Sequence, residues 1–198
     1  MADEASNPPV SQVQLTARQI RVLAHPLRIR MLGRLRGEGP KTATQLADML
    51  GTNTGATSYH LRQLAEAGLV VEEERPGGGR QRWWRAGHDM SSWHRSDFAD
   101  DPDASAAVVW LETFQVNRFV ELAETWQHGL SQESEEWRDT GGVSDYLVNL
   151  APDQVQELMD ELEEVVERYA RAEPGPGARP INVYMAALPK SRSGTEVS

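Results

Sequence analysis

Between residues 54 and 63 the chain gathers short hydrogen-bonding side chains and a guanidinium: Thr54, Thr57, Ser58, Tyr59, His60, Arg62 and Gln63. Hydroxyls, amides and arginine are the groups that meet phosphate oxygens and base edges in a DNA major groove. A plain solvated helix face carries a mixture of Glu and Lys instead, although pairs of amphipathic helices also occur in bundles that never touch DNA. A second basic set follows, with Arg75, Arg80, Arg82 and Arg85 around the turn Pro76-Gly77-Gly78-Gly79. A flexible tip ringed with guanidinium groups suits phosphate contact or entry into a minor groove.

Local signals define the elements that must hold these groups. Thr42 and Gln45 have capping-box spacing, and Ala43, Leu46, Ala47 and Leu50 give the helix they open one apolar face. Gly51, Thr52 and Asn53 are turn residues, and Gly51 suits a left-handed stop. A second helix is predicted from Thr54 to about Ala67, with Ala56, Leu61, Leu64 and Ala65 as its apolar stripe and Gly68 as its end. Strands over roughly 69–75 and 81–86 then flank the Pro-Gly turn as a hairpin. Upstream, residues 16–37 form a helical segment that Thr16 caps and His25-Pro26 interrupts, because proline restricts the residue before it. Ile20, Leu23 and Ala24 stripe the first part, and Leu27, Met31, Leu32 and Leu35 stripe the second. Arg28, Arg30, Arg34 and Arg36 fall mostly on the exposed side of that stripe.

Helix, turn, helix and basic hairpin in this order make a winged helix-turn-helix. The chain here resembles the winged helix-turn-helix repressors of the bacterial ArsR type. The resemblance is carried by Leu23-Ala24-His25-Pro26-Leu27-Arg28-Ile29-Arg30-Met31-Leu32, by Ser58-Tyr59-His60-Leu61 with Leu64, by Ala67-Gly68-Leu69-Val70, and by Gly79-Arg80. It covers residues 15–87, under half the chain. It implies a homodimer on an inverted-repeat operator in double-stranded DNA, read by the helix from Thr54. Carried over position by position, it implies Thr57, Ser58, His60 and Arg62 as DNA contacts and Arg80 and Arg82 as wing contacts. The metal-sensing branch of that family often places cysteine on the helix at 42–50. This chain has no cysteine, and that helix offers only Asp48 as a ligand, so a soft-metal or arsenic sensor of that kind is excluded.

The net charge of −10 is unusual for a DNA binder until it is divided. Residues 1–87 hold 12 Lys and Arg against 8 Asp and Glu, and residues 88–198 hold 8 against 22, giving +4 and −14. DNA responds to the local patch, because salt screens charge beyond roughly 8–10 Å. The acidic half is therefore expected to face away from DNA. No apolar run approaches a bilayer span, and the first residues lack a basic, apolar secretion signal, so a cytoplasmic protein is expected.

In the second half, residues 88–103 form a polar linker in which His88, Asp89 and His94 raise a metal question. Their spacing matches neither a helical nor a strand pair of ligands. A long helix is predicted from Asp103, as cap, to Gly129, and a helix of that length in a small protein suits dimerisation. Trp110, Phe114, Trp126, Trp137 and Tyr146 are candidates for an apolar effector pocket, and helical spacing equally suits ordinary core. Strands are expected at 146–150 and 181–188 around a helix from Pro152 to Arg171, whose stripe is Val155, Leu158, Met159, Leu162, Val165, Val166 and Tyr169.

The expected fold is mainly α, of α+β type: a tail at 1–14, a winged helix-turn-helix domain at 15–87 and a linker at 88–103. A helical or α+β dimerisation or sensor region follows at 104–188, then a tail at 189–198. The expected function is a sequence-specific transcriptional regulator, a homodimeric repressor that needs no cofactor and answers to a small apolar ligand or a protein effector if it answers to one. The competing reading is a winged-helix module that binds a protein partner through its acidic half. An enzyme finds no support: Gly77-Gly78-Gly79 precedes a strand and so is no phosphate loop, and no nucleophile elbow or zinc-hydrolase helix occurs.

Overall fold

The computed structural model describes residues 11–74 and 81–190. Described residues up to Glu121 form one compact unit and those from Leu122 form another.

In the first unit, β1 (Gln12–Gln14) leads into α1 (Ala17–Leu23) and α2 (Pro26–Glu38). The two helices are distinct because Pro26 occupies the first turn of α2 and His25 is extended, its Nδ1 accepting from the Leu27 N–H at 3.1 Å. Thr16 closes a capping box with Gln19 at the start of α1. β2 (Lys41–Thr42) runs straight into α3 (Ala43–Leu50), whose box joins Thr42 and Gln45. Gly51 ends α3 at φ 63°, a left-handed position that costs a glycine nothing. Asn53 then caps α4 (Thr54–Glu66) through the Ala56 N–H at 2.8 Å.

β3 (Val70–Glu73) and β4 (Trp83–Ala86) pair antiparallel, with Val70 opposite Ala86 and Glu73 opposite Trp83. β4 is the central strand, because β2 pairs with its other edge, Thr42 opposite Trp83 and Lys41 opposite Trp84. Residues entering β4 are thereby brought beside the first turn of α3. Leu46, Leu61 and Leu64 are fully buried between the helices, together with Ile20, Met31, Leu32, Leu69 and Val70. Burying a leucine of this kind contributes about 1.5–3 kcal/mol, so α4 is anchored by its Leu61 and Leu64 side.

The unit is larger than the 15–87 expected. β5 (Met90–Ser92) pairs in parallel with β1, Gln12 opposite Met90 and Gln14 opposite Ser92. Residues 11–14 are accordingly part of the fold and do not belong to a tail. The anticipated linker also carries a 3-10 turn (Arg95–Phe98), from which Phe98 enters the core. α5 (Pro102–Gly129) adds Ala104, Ala107, Val108 and Leu111 to the same core. Its start is capped by Asp101, which accepts from the Ala104 N–H at 2.9 Å, and not by Asp103 as expected. Arg36 departs from the exposed face assigned to it: it is largely buried, donating to the His88 carbonyl at 3.0 Å and the Ser91 hydroxyl at 2.6 Å. Desolvation lowers its pKa to about 10, against which Asp89 acts in the opposite sense.

In the second unit α5 is followed by a short α6 (Glu135–Thr140) and by α7 (Pro152–Arg171). The Ala151 N–H donates to Gln154 at 2.9 Å, which supplies part of the cap that Ala151 itself cannot. The strands expected at 146–150 and 181–188 are absent: both segments lack regular structure, and Tyr146, Leu147, Ile181 and Leu188 are exposed. Alternating apolar residues make a strand only when a partner strand accepts their backbone groups. Among the described residues of this unit none is provided. Arg179 instead packs over the Trp137 ring at 4.0 Å and bonds Glu133 at 2.8 Å.

Candidate nucleic-acid interface

α4 projects two kinds of polar side chain. Thr54, Tyr59 and Arg62 are exposed, and Ser58 and Gln63 are half-exposed. Thr54, Ser58 and Arg62 follow at four-residue intervals and so share one side of the helix. The Arg62 guanidinium is steadied by donating from Nε to the Ser58 carbonyl at 3.2 Å. Gln63 donates to Glu66 at 3.4 Å.

Thr57 requires a correction. It is fully buried, and its hydroxyl donates to the carbonyls of Ala43 at 2.8 Å and Thr54 at 3.1 Å. It ties α4 to α3 and presents nothing to a ligand. The spacing Thr57, Leu61, Leu64 on the buried face was the available signal, masked by the polarity of the side chain. His60 is half-buried and faces inward against His25, at 4.4 Å between ring centroids.

On the Ser58 and Arg62 side, α4 borders a cleft of about 440 Å³. Its opposite wall is formed by Gln81 and Arg82, just ahead of β4, and its end by Thr42 and Thr44 at the first turn of α3. Two arginines, three hydroxyls and a helix N-terminus thus converge on one concave surface, the composition of an anion-binding groove. Local sequence does not mark Thr44 and Gln81 for this surface, since their place depends on β2 pairing with β4. The wing arginines already have partners: Arg82 lies 3.5 Å from Glu72 and Arg85 3.9 Å from Glu73. Both arginines are solvent-exposed, so both pairs are weak. Arg75 and Arg80 lie outside the described residues.

His88, Asp89 and His94 do not converge. The Asp89 carboxylate accepts from the Ser11 N–H and hydroxyl, both at 2.8 Å, and these bonds hold its pKa below the usual value. His88 is engaged through its carbonyl, and His94 is exposed. Among the described residues no group of three or more metal-ligating side chains occurs, and no helix is long and apolar enough to cross a membrane.

The five aromatics proposed for an effector pocket divide between the two units. Trp110 and Phe114 stack at 5.4 Å within the first unit. Trp126 and Trp137 belong to the second, where Arg179 lies over both rings. Tyr146 is 88% exposed. Helical spacing had suggested a shared face, and two of these side chains instead serve to hold the segment that contains Arg179.

Residues 23–73 match the family model described as a helix-turn-helix domain. The chain is similar to a solved domain from Mycobacterium bovis, described as a homodimeric winged helix-turn-helix DNA-binding domain of a possible ArsR-family transcriptional regulator. The identity is 26% over 37% of this chain, with a TM-score of 0.33. The chain spans 64% of that structure's length. A second solved structure, a possible transcriptional regulator for arsenical resistance, is 30% identical over 54% of this chain and 96% of its own, with a TM-score of 0.32. No match is found among the curated proteins. Residues 23–73 belong to the helix-turn-helix domain family, and with the hairpin of β3 and β4 they form the winged domain that the resemblance to ArsR-type regulators implied.

Proposed function

We propose that this chain is a sequence-specific DNA-binding regulator of transcription, acting as a homodimeric repressor. The observation that carries the reading is the cleft in which Ser58 and Arg62 of α4, Arg82 of the hairpin and the first turn of α3 meet on one surface. α4 would lie in the major groove, where Ser58, Tyr59, Arg62 and Gln63 read base edges and Thr54 meets backbone. Arg82 would contact flanking phosphates, as would Arg75 and Arg80. One domain offers a single reading helix, so a second copy supplies the other half of a two-fold site.

The test is fluorescence anisotropy with a duplex from the DNA upstream of its own gene, against a scrambled duplex, for the wild type and Arg62→Ala. Preference for the native duplex that disappears in the variant supports sequence reading. Equal losses on every duplex for Arg62→Ala and Arg82→Ala would remove the distinction between reading helix and wing.

A second reading, docking of a protein partner by the acidic half, draws on α7. None of its residues is buried, and Leu162, Val165 and Tyr169 are exposed on the face that its apolar spacing defines. A stable complex with a basic protein, together with uniformly weak DNA binding, would favour it.

A further inference from the structure

The site above leaves unused the groups behind α4. His25 caps α2 by accepting at Nδ1 from the Leu27 N–H, so that nitrogen carries no proton and Nε2 is the donor. The His60 ring packs against it at 4.4 Å, tilted by 42°, and Tyr59 meets His60 edge-on at 5.2 Å. Arg28 stands one turn along α2 and acts on both rings. Arg28 Nε and His60 Nδ1 are enclosed without a hydrogen-bond partner among the described residues. Among the described residues, the charged and titratable groups that act on this trio are its own members and Tyr59, with no carboxylate. Arg21, Arg34 and Arg82, by contrast, each have an acid, in Asp101, Glu38 and Glu72. Each of the three side chains is only half-buried, leaving the cluster open to solvent on one side.

We propose that His25, Arg28 and His60 form a phosphate subsite that takes one backbone phosphate of the DNA read by α4. The proposal rests on the DNA-binding reading above. Three nitrogen bases with no internal counter-charge form a place where an anion lowers the energy of the folded protein. In the free protein, desolvation followed by the Arg28 charge lowers the pKa of His25. Desolvation followed by His25 and Arg28 lowers that of His60. A phosphate oxygen beside the rings reverses the balance and favours the charged form. His25 stays neutral because its Nδ1 is committed to the cap, and donates through Nε2. The proton goes to His60, whose Nδ1 has no other use. Binding thus takes up a proton, and affinity rises as pH falls through the ordinary histidine range.

The test is anisotropy of the full chain on a mixed-sequence duplex, with a salt series at about pH 8 and about pH 5.5. The wild type is expected to bind several-fold tighter at the lower pH, with a salt slope steeper by about one contact. Arg28→Gln should lower the slope by about one at both pH values, and His60→Gln should abolish the pH effect. His25→Asn keeps a good cap on α2 and should also weaken the low-pH gain, so a folding defect in another variant does not decide the matter. Wild-type binding whose pH and salt dependence is unchanged in all three variants overturns the subsite and leaves the DNA reading standing. No binding to any duplex sinks the DNA reading. In that case the imidazole resonance of His60 is followed by NMR during titration with inorganic phosphate. A shift lost in Arg28→Gln assigns the subsite to free phosphate, and no shift overturns it.

Discussion

The Thr57 hydroxyl donates to the Ala43 carbonyl at 2.8 Å, tying the middle of α4 to the first residue of α3. The two helices of the motif are therefore joined by a side-chain hydrogen bond from α4 to the start of α3 and by the buried side chains of Leu46, Leu61 and Leu64. Thr57→Val keeps the volume and removes the donor. It is expected to cost about 1 kcal/mol, seen as a lower midpoint in urea, and to leave the order of preference among DNA sequences unchanged. A changed preference would return Thr57 to the DNA-contacting face.

Glu72 and Glu73 hold Arg82 and Arg85 on the hairpin. A phosphate that recruits those guanidinium groups must displace the carboxylates. Glu72→Gln and Glu73→Gln are expected to tighten binding to any duplex a few-fold and to steepen its salt dependence by up to about one contact each. Titrations over a salt series measure both quantities, and unchanged slopes would show that these arginines stay off the backbone.

His25 and His60 have folded-state pKa values below the 6.5 of the unfolded chain. The unfolded state therefore binds more protons below that value, and stability must fall with falling pH. The contribution is complete above about 6.5 and declines as pH drops toward the folded-state values. Asp89 and Asp101 are likewise shifted down, below 3.8, and their contributions are lost only in more acid solution. Melting temperatures of the wild type should decline across the histidine window, and those of His60→Gln should decline less. Equal declines would place the titration elsewhere.

Gly87, just after β4, lies close against the backbone just before β3, its N–H donating to the Leu69 carbonyl at 2.9 Å. A Cβ there would stand 2.7 Å from the Gly68 carbonyl oxygen, which is backbone and cannot rotate away. Gly87→Ala is expected to cost about 1–3 kcal/mol, whereas Gly33→Ala, which meets nothing within 4 Å, should be near neutral or stabilising. Parallel urea denaturation of the two variants checks the contrast.

The parts of this fold that local chemistry determines were legible in the chain. The Thr42 and Gln45 box, the left-handed Gly51, the break at Pro26 and the start of α7 at Pro152 all stand where their residues predicted. The parts that depend on distant pairing were not. Nothing near Gln12 announces that it will meet Met90, and the charge of Arg36 hides the fact that its guanidinium is enclosed by residues more than 50 positions away. The same holds for the candidate interface. Ser58 and Arg62 were visible as a helical face, but Thr44 and Gln81 joined them only through the three-stranded sheet. At Tyr146 and Ile181 the pattern itself misled, because alternation describes a strand's faces and says nothing about whether its edges will be occupied.

The parallel pairing of β1 with β5 has a temporal consequence. Ser11 is fastened to Asp89 across 78 positions, so this closure is the longest loop among the ladder contacts of the domain and its entropy is lost late. During synthesis α4 can pack as soon as β4 has left the ribosome, while β1 must wait for residues 90–92. A nascent chain halted before Ser92 would carry an assembled helix-turn-helix with an unlatched first strand. The latch would show as a distinct late phase, and Asp89→Asn should slow or abolish that phase without touching the earlier ones.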